Sequence, residues 1–221
     1  MDVNVSQYHQ FVQTLAIYAL PVLFAITLHE AAHGYVARHF GDMTAHAQGR
    51  ISLNPVRHID FVGTIAVPLV ILLLSGNKFL FGWAKPVPVN FSALRKPRQH
   101  MAWVAAAGPG ANLLMALLWV ALLKLAVLMP HNGFWLFVGM MAEAGIVVNL
   151  LFMFLNLIPI LPLDGGRILA SLLPRRAAGQ YARLEPLGLP LLIVLLLTNV
   201  LNVVLEPLMG ASDALIRALV F

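Results

Sequence analysis

The sequence contains no cysteine and very little charge. Without cysteine there is neither a disulfide framework nor a thiolate metal site, so any bound metal must be held by nitrogen and oxygen. Only 10% of the 221 residues are Asp, Glu, Lys or Arg, whereas 60% are hydrophobic. A soluble domain carries about a quarter charged residues. The apolar–polar alternation of a membrane β-barrel is also missing. The amino terminus, MDVNVSQYHQ, has no basic stretch of the kind that opens a cleavable signal peptide. With no Lys or Arg before the first apolar run, it is expected on the outer, non-cytoplasmic side of the membrane. There is no internal repeat, no low-complexity tract and no segment that reads as a soluble domain.

What remains are solid apolar runs, several approaching or exceeding the roughly 20 residues that cross a bilayer. The expected class is all-α: a polytopic membrane helix bundle forming one domain over residues 1–221. Runs at 11–40, 101–129, 134–160 and 187–205 read as spans, and SDALIRALV reads as a weakly amphipathic terminal helix. The run at 61–75 is short and holds a proline, and GWAKPVPVNFSALRKPRQH reads as extended chain. The formal charge of +5 does not indicate nucleic acid. The basic residues gather in short loops between apolar runs, the positive-inside pattern, so the expected partner is the lipid bilayer.

Residues 27–35 read TLHEAAHGY at the end of an apolar run. Ionisable groups at such a place are costly and persist mainly where they have a function. His29-Glu30-Ala31-Ala32-His33 is the H-E-x-x-H zinc pattern. Four helical residues turn the chain by about 400°, which puts both histidines on one face, one turn apart. Glu30 then stands beside the metal, where it can take a proton from water. The alternative is a polar helix end at the membrane surface.

A catalytic zinc usually takes three protein ligands. His39 has the spacing of the metzincin third histidine, but that pattern needs a glycine where this chain has Val36. In a continuing helix His39 lies about 240° around and about 9 Å along from His33, and it is expected to miss the metal. Asp164, in NLIPILPLDGGR, is the other candidate. Gly165 and Gly166 are expected to free the backbone there from helix. Alternatively, Asp164 caps the helix that follows.

HEAAHG, AGPGANLL and NLIPILPLDGGR, in this order and on apolar segments, together resemble the site-2 protease family of intramembrane zinc metalloproteases. GRISLNPVRHIDFVGT and GWAKPVPVN resemble its compact prokaryotic branch, which lacks appended domains. The resemblance covers roughly residues 20 to 175 and implies that His29, His33 and Asp164 bind zinc and that Glu30 is the catalytic acid and base. It implies a substrate-binding role for Asn112, in the G-x-x-x-N element from Gly108, although that spacing also serves helix packing. Asn156 matches a family asparagine and is expected to support its segment through hydrogen bonds. The implied substrates are transmembrane segments of other proteins, cut in regulated intramembrane proteolysis at a prokaryotic cell membrane.

Arg38, Arg50 and Arg57 on one side, and Arg167, Arg175, Arg176 and Arg183 on the other, put both halves of the motif at the cytoplasmic face. Two crossings, 101–129 and 134–160, connect them. Residues 61–82 are therefore expected to dip into the membrane and return. KPVPVNF, residues 85–91, either offers an edge strand to an unwound substrate or is a plain interfacial loop. Rival functions are a metal transporter and a scaffold that binds helices without cutting them.

Overall fold

The structure, a computed structural model, describes residues 2–67, 70 and 85–221. The chain opens with α1 (Asp2–His39) and a single-turn α2 (Thr44–Ala47). Two long helices follow, α3 (Pro97–Leu128) and α4 (Gly133–Asn156). After a tight turn come α5 (Asp164–Leu172), α6 (Arg175–Ala182), α7 (Glu185–Leu197) and α8 (Val200–Val220). No strand occurs among the described residues. The Val12–His39 stretch of α1, all of α3 and all of α4 are each long and apolar enough to cross a membrane. The fold is thus the expected all-α bundle of an integral membrane protein.

Local sequence sets the helix ends. Pro97 opens α3, where its missing N–H costs nothing. The Asn132 side chain accepts the Trp135 N–H at 3.1 Å and starts α4. Lipid offers little hydrophobic gain for joining helices, so close packing of small residues does that work. Ala25, Ala31 and Ala37 of α1 and Ala142 of α4 are fully or almost fully buried. Gly145 makes room for the Trp119 indole; a Cβ there would come within 2.5 Å of the ring. Trp119 and Leu123 of α3 join Ile146, Leu150 and Met153 of α4 and Val220 of α8 in one core.

Some expectations need correction. The run at 187–205 is not one helix, because Asn199 takes a left-handed conformation (φ 56°) and separates α7 from α8. SDALIRALV is the end of α8, which packs on α3 and α4. The basic stretch after Asp164 is not a loop: Arg167 lies in α5, and Arg175 and Arg176 begin α6. Of the proposed re-entrant stretch 61–82, Phe61–Ala66 forms a short π-helix, and residues 68–69 and 71–82 lie outside the described residues. Two further charges inside apolar runs, Lys124 and Glu143, both meet α8. Lys124 Nζ donates to the Leu219 carbonyl at 2.8 Å, and Glu143 lines a cavity with Asp213 and Arg217.

Residues 85–90 form neither helix nor strand and are tied to the α1 end of the molecule by hydrogen bonds. Lys85 N–H donates to the His58 carbonyl at 2.9 Å, and Asn90 N–H to the buried Asp42 carboxylate at 2.7 Å. The Arg50 guanidinium donates to the carbonyls of Lys85 and Pro86 at 3.0 and 3.2 Å.

Candidate metal centre

Three residues on two elements, one from each half of the chain, build the site. His29 and His33 lie one turn apart on α1, as the helical period requires, and Asp164 is the first residue of α5. The Nε2 atoms of the two histidines are 3.1 Å apart. Asp164 Oδ2 lies 3.3 Å from His29 Nε2 and 3.4 Å from His33 Nε2. His29 and Asp164 are each only 8% exposed.

Bonds of 2.0–2.1 Å in a tetrahedron put neighbouring donors about 3.3 Å apart, and this triangle matches that spacing. Protonation points the same way. His33 Nδ1 is 2.7 Å from the Val104 carbonyl, which can only accept, so Nδ1 carries the proton. His29 Nδ1 is 2.6 Å from Asn112 Oδ1 and carries its proton for the same reason. In its neutral form a ring held this way presents a bare Nε2 lone pair to the centre. Asp164 Oδ2 is buried without a hydrogen bond, although two imidazole nitrogens stand beside it. Two lone pairs and a carboxylate oxygen facing one another repel unless a cation lies between them. Among the described residues these three form the one cluster of this kind.

Gly108 of α3 keeps the centre open. A Cβ there would lie within 2.6 Å of His29 Nε2 and closer still to His33 Nε2, so the two imidazoles could not keep their places. One turn on, Asn112 faces the same side of α1. It does not stand in the open part of the site, where the expected substrate role would put it. It is 1% exposed, and while its Oδ1 meets His29, its Nδ2 donates to the Ala25 carbonyl (3.3 Å) and to Asn149 Oδ1 (3.0 Å). These contacts use both ends of its amide.

Asp164 does not cap a helix. Leu163 is the cap residue of α5, and no side chain makes a capping hydrogen bond there. Gly165 and Gly166 do not release the chain from helix, because both lie within α5. Their value is close approach: a Cβ on Gly165 would come within 2.6 Å of the Ile158 carbonyl, and one on Gly166 within 2.5 Å of Leu161 N. At the far end of α5, Arg98 of α3 donates to the carbonyls of Ser171 (2.7 Å), Leu172 (3.2 Å) and Leu173. The helix that carries Asp164 is thereby held at both ends.

Glu30 stands outside the donor triangle, half-buried, and its Oε2 accepts the Val87 N–H at 2.7 Å. Segment 85–90 is thus anchored to Glu30. Since Pro86 and Pro88 have no N–H, residues 86–88 offer an incoming strand only carbonyl acceptors. His39 ends α1 exposed and packs edge-on against Phe40, away from the cluster. Asn156 donates to the Phe152 carbonyl of its own helix at 2.9 Å, not to the turn that precedes Asp164. Sequence reading missed the Val104 carbonyl, the Val87 N–H and Asn149. The two backbone groups leave no trace in residue type. Asn149 did leave one, a lone amide in the apolar run GIVVNLLFM.

Residues 128–198 match Peptidase family M50. Over 205 residues the chain is 36% identical to YwhC of Bacillus subtilis, named as a zinc metalloprotease, covering 90% of this chain and 88% of that one. It is 30% identical over 183 residues to Rip2 of Mycolicibacterium smegmatis, also named as a zinc metalloprotease, covering 81% of this chain and 66% of that protein. Rip2 of Mycobacterium tuberculosis is likewise 30% identical, over 180 residues. No solved structure matches the chain. With a relative of that identity aligned along nearly the whole length of both proteins, the chain belongs to peptidase family M50, the site-2 protease family of zinc metalloproteases.

Proposed function

We propose that residues 1–221 act as one integral-membrane endopeptidase domain, which hydrolyses peptide bonds in or near transmembrane segments of other proteins. The observation that carries this reading is a closed His29–His33–Asp164 donor triangle inside a bundle of bilayer-length helices. A protease acting on soluble chains has no need to bury its centre among such helices. The basic residues after α1 and along α5 and α6 support a site near the cytoplasmic face, within reach of water.

His29, His33 and Asp164 hold the ion. Bound zinc supplies Lewis acidity, polarising the scissile carbonyl and lowering the pKa of water towards 7. Glu30 Oε2 or its partner oxygen takes a proton from the attacking water and returns it to the departing amine nitrogen, which regenerates the carboxylate. The Val87 N–H holds that carboxylate in place at 2.7 Å. A helical substrate has its scissile carbonyl hydrogen-bonded within the helix, so it must unwind locally before it reaches the site.

A transporter needs further ligands along a path, and no second cluster occurs among the described residues. A non-cleaving scaffold has no use for Glu30 beside a complete donor set. The test uses purified protein, transmembrane substrates in lipid vesicles and Glu30→Gln. Cleavage is expected to fall by about 10²–10⁴-fold while one zinc per chain is retained. Undiminished cleavage by Glu30→Gln, or zinc flux across vesicles that survives it in a protein that never cleaves, overturns the reading.

A further inference from the structure

We propose that Asn149 is a positioning residue for the metal centre: acting through Asn112, it holds the His29 imidazole with a bare Nε2 turned to the metal. This rests on the metal-centre reading above and extends it to a residue on a helix that carries no ligand.

The argument is one of direction. A row of side-chain amides can run either way unless something fixes its polarity, and here backbone carbonyls do so. Asn149 Nδ2 donates to the Gly145 carbonyl at 2.8 Å, which turns its Oδ1 towards Asn112. An oxygen there can only accept, so Asn112 must present its NH2, and the contact is 3.0 Å. The same NH2 reaches the Ala25 carbonyl at 3.3 Å, a second and independent anchor. Asn112 Oδ1 is then left facing His29 Nδ1 at 2.6 Å, and only an N–H can satisfy it. Of the two neutral tautomers, this selects the one with the proton on Nδ1 and the lone pair on Nε2. Reversing any amide in the row would demand the proton on Nε2 and turn a ligand into a donor.

The relay crosses α4, α3 and α1 and is sealed from water: Asn149 is 0% and Asn112 1% exposed. It serves one ligand only. His33 takes its orientation from the Val104 carbonyl, which no side-chain substitution removes. Without the Asn149 oxygen, the Asn112 NH2 keeps only the longer bond to the Ala25 carbonyl, so its orientation is held by one anchor in place of two.

The test measures zinc affinity by chelator competition, and the visible spectrum of the cobalt-substituted protein, for the detergent-solubilised full chain. Asn149→Leu is expected to weaken zinc binding by about 10–100-fold and to change the cobalt spectrum, while Asn149→Asp, which as the protonated acid can donate to the Gly145 carbonyl and keep an oxygen towards Asn112, stays within about threefold. If Asn149 only glues helices, the thermal midpoint of the metal-free protein falls and zinc affinity of the folded protein does not move; that result overturns the proposal. Should Asn149→Leu fail to fold, a folded Asn149→Asp that loses zinc tenfold or more overturns it, and one that keeps zinc supports it. An unmodified chain that binds no zinc, or binds it equally after Asp164→Ala, overturns the metal-centre reading and the relay together. Normal zinc binding by the unmodified chain, with Asn149→Leu unchanged, overturns the relay alone.

Discussion

At the scale of single residues, the site depends as much on what is missing as on what is present. Gly108 contributes no side chain, and its Cβ position is the space between two imidazole nitrogens. Gly108→Ala is therefore expected to leave helix content unchanged and drop bound zinc from one per chain to nearly none, by elemental analysis of the purified protein. Retention of stoichiometric zinc would show that the imidazoles can withdraw. His29, Glu30, His33 and Asp164 were legible in the sequence because charge is rare in this chain and the helical period fixes which residues share a face. Asn112 was legible as a site residue but not in its role, since its three partners, His29, Ala25 and Asn149, come from two other helices. Such a network is a tertiary fact with no local signature.

At the scale of elements, α5 sets where the carboxylate lies. Its first turn rests directly on the backbone of residues 157–161 and its last carbonyls are held by Arg98. Gly165→Ala or Gly166→Ala would push a methyl group into that backbone and move Asp164 off the triangle. Both are expected to lower the thermal midpoint and weaken zinc by tenfold or more, about 1.4 kcal/mol or above. Gly179→Ala in α6 and Gly210→Ala in α8 are the controls, because a Cβ at either meets nothing within 4 Å. With ordinary helix propensity they are expected to be neutral or to stabilise by up to about 1 kcal/mol. Circular-dichroism melts of the four variants decide the matter. The long apolar helices were readable from composition. The break between α7 and α8 was not, because Asn199 sits in LLLTNVLNVV, where hydropathy outweighs the modest tolerance of asparagine for a left-handed backbone.

At the scale of the whole molecule, the donors tie α1 to α5, so zinc is expected to act as a cross-link as well as a Lewis acid. Zinc held at 100 times its dissociation constant stabilises the folded form by about 2.7 kcal/mol. Stripping the metal with a chelator should lower the thermal midpoint of the solubilised protein, and adding back zinc should restore it. Asp164→Ala should start at the lower midpoint and gain little from zinc. A midpoint indifferent to the metal in the unmodified chain would separate metal binding from folding. Topology follows from the same arrangement: reporters fused after His39 and after Leu173 are expected to lie on the same side of the membrane, and opposite sides would contradict the placement near one face.

The donor triangle also has a consequence in time. A ribosome delivers His29 and His33 to the bilayer long before it reaches Asp164, and until then the growing polypeptide owns two imidazoles and no third arm. If these three residues hold the zinc, hydrolytic power is withheld during synthesis and arrives only when the later half of the chain docks on the first.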